Sequence, residues 1–230
     1  SGWLLSCYDP VTRDYSDEPK AGLRIVQKLI NSYGADVTAC YVNRDTGTVY
    51  GAEWEEVKRI LGAADLLLNI GGVCWLPEFR ICKRRVLIDM DPFFTQIGKF
   101  AVEGRNDYHL YFSYGTNIGH SDCKIPTDGQ DWLPIVPPVV PELWQNSAST
   151  PELADAAFTT IANWSAYGDV VYRGEPYGQK DQEFMRLLEL PSRCSQKLEL
   201  AISGHDSEIV TEVPPFVYTT MPLKGSPHKG

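Results

Sequence analysis

Residues 86–92 read V-L-I-D-M-D-P, an apolar run that passes directly into two aspartates, Asp89 and Asp91, and a proline. A short apolar run of this kind is a strand buried on both faces, and such strands belong to parallel sheets flanked by helices. Its carboxylates then lie where the strand surfaces, at its carboxyl end. Residues 65–72 (D-L-L-L-N-I-G-G) and 109–115 (H-L-Y-F-S-Y-G) repeat the form, ending in glycine and polar residues. In an open parallel sheet these ends line one crevice, and ligands bind there. Asn69, Gly71, Gly72, Asp89, Asp91, Gly115, Asn117 and His120 are therefore the candidate binding residues.

The surrounding pattern agrees with such a sheet. Leu23, Val26, Leu29, Ile30 and Tyr33 recur at helical spacing between a start at Ser16 to Pro19 and a stop at Gly34. Residues 36–42 alternate as a strand and 43–47 turn the chain. Residues 52–63 form a second helix on Trp54, Val57, Ile60 and Leu61, with Glu55 and Arg59 placed to pair. A short helix at 77–82 and one at 93–103, interrupted by Gly98, complete an alternation that predicts an α/β, Rossmann-like doubly wound sheet with right-handed crossovers.

Beyond residue 115 the chain becomes loop-rich, and four prolines in 134–141 exclude a regular helix there, leaving extended chain. Residues 146–151 read as a surface loop. Strands are expected at 158–164, 169–172 and 198–202, and a helix at 179–190. We take 1–202 as one domain and 203–230 as a loosely ordered, proline- and glycine-containing tail.

Composition narrows the partners. A formal charge of −9 argues against nucleic acid, because phosphate binding draws on clustered Lys and Arg, and the only basic cluster is Lys83, Arg84 and Arg85. No apolar run approaches the roughly 18 residues of a membrane span, so a cytoplasmic protein is expected. The six cysteines lack CxxC or CxxxC spacing and the four histidines are not spaced for shared ligation. No bound metal or cofactor is expected.

Alternate residues of a strand face one side, so Asp89 and Asp91 could share a divalent cation or a sugar's hydroxyls. A phosphohydrolase of the haloacid-dehalogenase type would use the first Asp as nucleophile but wants Thr or Val two residues after the second, where this chain has Phe93. A metal-bound nucleotide-sugar site of the GT-A type also uses DxD. The bland reading makes Asp89 a cap of the following turn and Asp91 a cap of the helix after Pro92. Gly71 and Gly72 either cradle a phosphate or serve a tight turn. His120 is a general base, an anion or sugar contact, or a solvated loop residue. Of Trp132, Trp144 and Trp164, at least two are expected in cores.

Gly2-Trp3 with Tyr8-Asp9-Pro10, residues 63–72, residues 85–92, N-I-G-H-S-D-C at 117–123 with I-P-T at 125–127, and F-T-T-I-A-N-W at 158–164 followed by Tyr177-Gly178 form a series in fixed order. Over roughly residues 2–202 this series resembles a family of bacterial glycosyltransferases of GT-B architecture. The resemblance implies two Rossmann-like domains, the first facing an acceptor and the second holding a nucleotide-sugar, with transfer that needs no metal. Relatives carry a glycine-rich first βαβ unit before the Trp3 region, continue after residue 202 into a donor-binding domain, and often have Arg where this chain has His120. The expectation is thus an acceptor-side half, inactive alone, whose sheet calls for a substitute strand, a partner chain or tolerance of an exposed edge, a homo-oligomer being one of these outcomes. Alternatives from other classes are the DxD phosphohydrolase and a non-catalytic sugar- or nucleotide-binding module.

Overall fold

A computed structural model of the chain describes residues 7–9, 11–12, 14–16, 18–43, 46–72, 74–97, 105–144, 156–164, 170–177, 180–187, 189–203 and 217–220. It divides into two units, Ser1–Val139 and Val140–Gly230, a boundary that lies inside the single domain read over 1–202.

The first unit opens with an antiparallel pair, β1 (Cys7–Asp9) and β2 (Asp14–Ser16). Helix α1 (Lys20–Tyr33) follows the predicted apolar spacing and stops at Gly34, whose φ of 60° is a left-handed conformation that glycine adopts without strain. The expected side-chain cap is absent, because Ser16 Oγ bonds Glu18 instead of the first turn. The strand expected over 36–42 shrinks to β3 (Tyr41–Val42), paired across a turn with β4 (Val49–Tyr50). Helix α2 (Trp54–Ala63) carries its ion pairs at three-residue spacing, Glu55 with Lys58 and Glu56 with Arg59, rather than between Glu55 and Arg59. Either spacing brings side chains together on a helix, and the shorter one gives Arg59 a two-nitrogen grip on Glu56.

Four parallel strands then run side by side in chain order, namely β5 (Leu67–Ile70), β6 (Arg85–Asp89), β7 (Leu110–Ser113) and β8 (Trp132–Pro134). The first three are the apolar runs read from the sequence. The fourth is W-L-P, of which only Pro134 falls within the stretch taken as extended chain. Connections include 3-10 helices Pro77–Ile81 and Arg105–Asp107 and helix α3 (Phe94–Ile97). The remainder of the helix expected over 93–103 lies outside the described residues.

Crossovers between parallel strands are right-handed, so strands laid down in sequential order receive all their connections on one face. The core obeys this rule: Trp75 and Phe79 from the first connection, Tyr108 from the second, and Ile118, Cys123 and Ile125 from the third cluster on Leu87, Tyr111 and Trp132. This is a mixed α/β fold with a four-stranded parallel sheet, and in strand order it runs in one direction without the reversal that a doubly wound sheet has.

The second unit begins with a 3-10 helix, Pro141–Leu143, and has its own parallel sheet, ordered β13-β12-β9, from β9 (Phe158–Asn163), β12 (Leu198–Ser203) and β13 (Val217–Thr220). Between them lie the hairpin β10 (Val170–Tyr172) and β11 (Glu175–Tyr177) and two short helices, α4 (Lys180–Met185) and α5 (Leu190–Arg193). Arg173 and Gly174 both have positive φ, as a two-residue hairpin turn requires. The loop expected at 146–151 and most of the tail lie outside the described residues. Trp132 and Trp164 are buried and Trp144 is exposed, as expected for at least two of the three. Among the described residues no helix is long and apolar enough to cross a membrane.

Leu87 is fully buried at the centre of the one-sided core. Leu87→Ala is expected to cost about 3 kcal/mol in urea unfolding followed by circular dichroism, and a loss near zero would disprove this core.

Candidate functional site

Strand β6 delivers Asp89 into a site with no solvent exposure at all. A carboxylate there is costly unless donors replace water, and four do so. Oδ1 accepts from the Asp91 backbone N–H at 2.9 Å and from Thr95 Oγ1 at 2.6 Å. Oδ2 accepts from Gln96 Nε2 at 2.8 Å and from Ser113 Oγ at 2.6 Å. A carboxylate offers about four acceptor positions, and all are taken. Asp89 is therefore the cap of its own turn and does not reach a crevice.

The turn it holds is unusual. Phe93 is buried with φ of 81°, a left-handed conformation that costs a bulky residue about 1–3 kcal/mol. Its N–H donates to Gln96 Oε1 at 2.6 Å, so the Gln96 amide joins the strained backbone to the Asp89 carboxylate. Asp91, on the outer side of the turn, is exposed. Partial burial of its carboxyl and, second, the charge of Asp89 raise its pKa above the ordinary Asp value.

Neighbouring strand ends close on this turn from both sides. The Gly71 N–H bonds the Ile88 carbonyl at 2.8 Å, and a Cβ at Gly71 would stand 3.2 Å from Met90 Cε. Gly71 and Gly72 both have positive φ, which favours their tight-turn role. On the other side the Tyr114 N–H bonds the Asp89 carbonyl, and the Gly115 N–H bonds Ser113 Oγ at 3.0 Å. A Cβ at Gly115 would lie 2.8 Å from Ile118 Cδ1 and 3.0 Å from Pro92 Cβ.

The structure thus brings Gly71, Asp91 and Gly115 to one end of the sheet. Asn69 sits beneath them, buried, with Nδ2 donating to the Cys74 carbonyl at 2.7 Å and to Tyr108 Oη at 2.5 Å. Burial pushes the Tyr108 phenol up to about 12. Asn117 and His120 are exposed on the loop after β7, joined to each other where the His120 N–H bonds the Asn117 carbonyl at 3.0 Å. Of the eight candidates, Asn69 and Asp89 serve as internal supports, while Asp91, Asn117 and His120 offer side chains to solvent.

Thr95, Gln96 and Ser113 escaped the sequence reading. Ser113 stands opposite Asp89 in the strand register, a signal visible only once β6 and β7 are paired. A separate groove of about 440 Å³ is lined by Lys20, Leu23, Arg24, Gln27, Ala39 and Gly51, none of them in the strand-end cluster. No family model, curated protein or solved structure matches the chain.

Two outcomes follow from this geometry. Asp89→Asn would turn a donor against donors and is expected to cost about 3 kcal/mol in chemical unfolding. A loss within about 0.5 kcal/mol, the ordinary range for a surface change, would remove the support role. For Asp91 the folded state holds its proton more tightly than the unfolded chain, so stability falls as pH rises through the raised pKa. Asp91→Asn is thus expected to be more stable than the parent in neutral solution and equal to it once both states are protonated. Parallel urea titrations across the acid range read this difference.

Proposed function

We infer that the chain takes part in glycosyl transfer from a nucleoside-diphosphate sugar to a saccharide or small-molecule acceptor, its first unit being the acceptor-side, Rossmann-like domain of a GT-B enzyme. The observation that carries this reading is the meeting of Gly71, Asp91 and Gly115 at the carboxyl end of one parallel sheet, the place where open α/β sheets take ligands. The ordered series of motifs shared with bacterial glycosyltransferases supports it. The described parallel sheet of β5 to β8 lies wholly within the first of the two units, which is the part this reading places against the acceptor.

In this reading Asp91 accepts a hydrogen bond from an acceptor hydroxyl, and Asn117 and His120 border the same acceptor. The turn's fixed shape matters here, since a group that is already in place loses little entropy when it binds. Stabilisation of the departing diphosphate would come from donors of the donor-binding domain rather than from this sheet. The phosphohydrolase reading is weaker, because its nucleophile would be Asp89, whose acceptor positions are all occupied.

Titration of isotope-labelled protein with mono- and oligosaccharides is expected to shift backbone NMR signals of Gly71, Asp91, Gly115 and Asn117. Asp91→Ala should weaken that binding about tenfold, or 1.4 kcal/mol. Shifts confined to residues 180–200 would overturn the site. Magnesium and manganese are expected to give no saturable heat, whereas cation binding lost in Asp91→Asn would favour metal-dependent chemistry.

A further inference from the structure

The turn that presents Asp91 is constrained at each of its residues. Asp91 donates its N–H to Asp89 Oδ1 at 2.9 Å, and its carbonyl accepts from the Thr95 N–H at 3.4 Å. Pro92 follows, and a residue before proline is steered to extended conformations while the proline ring fixes its own φ. Phe93 comes next with φ of 81°. It is the one residue of the three with a lower-energy basin to relax into, because a bulky side chain favours negative φ. Since the φ of Pro92 is locked, such a relaxation would pass directly to Asp91.

A buried side chain opposes that relaxation. Gln96 is 1% exposed, its Oε1 accepting the Phe93 N–H at 2.6 Å and its Nε2 donating to Asp89 Oδ2 at 2.8 Å. A glutamine at the third position of a helix often reaches back to the N–H before the first turn. Here the other end of the amide lies on a buried carboxylate, so the side chain cannot turn over without setting N–H against N–H and oxygen against oxygen. Of the four donors to Asp89, Gln96 is the one whose second polar atom takes the Phe93 N–H.

We propose that Gln96 is the positioning residue of the acceptor site: its amide keeps Phe93 left-handed and thereby holds Asp91 where it takes an acceptor hydroxyl. The role rests on the acceptor site proposed above. An Asp91 released from the turn would have to be ordered again by every ligand it met, at a cost in affinity.

Two substitutions separate the polarity of the amide from its bulk. Gln96→Met keeps the length of the side chain and removes the amide; Gln96→Glu, once protonated, keeps both bonds, its carbonyl accepting from Phe93 and its hydroxyl donating to Asp89. Glucose and maltose, titrated into isotope-labelled protein and followed by NMR, are expected to bind Gln96→Met about tenfold more weakly than the parent. Gln96→Glu should match the parent at about pH 5 and weaken towards the Gln96→Met value at about pH 8, because two carboxylates in contact keep a shared proton only up to a raised pKa. Backbone signals of Leu87 and Tyr111 should stay in place throughout, which separates release of the turn from loss of the core. Parent affinity in Gln96→Met, or equal weakening of Gln96→Glu at both pH values, would overturn the proposal. A parent that binds neither sugar would reject the acceptor site itself, and the turn is then read from the titration of the Asp91 carboxyl carbon. Its midpoint, raised by partial burial and by Asp89, should fall towards the ordinary aspartate value in Gln96→Met, and an unmoved midpoint would remove the positioning role.

Discussion

A carboxylate kept away from water can persist only if every lone pair meets a donor. Asp89 meets this condition with groups from three places: the turn at Asp91, the short helix at Thr95 and Gln96, and the end of the next strand at Ser113. One side chain thereby fixes the ends of two strands and the turn between them. Gln96 extends the same set of bonds to the N–H of Phe93, so the left-handed backbone there is held by the groups that neutralise the buried charge. The exposed position of Asp91 is a product of this interior arrangement.

The ends of β5, β6 and β7 are legible because apolar runs that stop at glycine or aspartate have few other folded forms. The helix over 20–33 was legible for the same reason, its period being sustained from Leu23 to Tyr33. Three-residue β8 was not, since W-L-P has neither length nor alternation and ends in a residue that stops ladders. The role of Asp89 was left open between ligand and cap, because the answer depends on Ser113, twenty-four residues away and adjacent only through the register of β6 and β7. The division at Val139 has no sequence signal of its own, because proline-rich chain within 134–141 reads equally as a loop inside one domain or a joint between two.

The same crossover rule that builds the core also leaves it lopsided. Aromatic rings fill the covered side, with Trp75, Tyr108, Tyr111 and Trp132 meeting edge to face at centroid separations of 5.4 to 6.1 Å. On the opposite side, of the same apolar character, Val86 is buried while Leu68, Ile70, Leu110 and Leu133 are exposed. Residue type alone does not distinguish the two sides, and only the direction taken by the connections does.

The lack of space at Gly115 divides the loop above the sheet into two kinds of position. A methyl group there would strike the ring of Pro92, which cannot rotate aside, and the side chain of Ile118. Change at 115 would therefore have to be accommodated by a shift of the buried Ile118 side chain and a small displacement of Pro92. Thr116, Asn117 and His120, by contrast, project from the same loop into solvent and can be exchanged one at a time. A lineage carrying this fold could thus vary what the loop touches while the seat of the loop stayed the same.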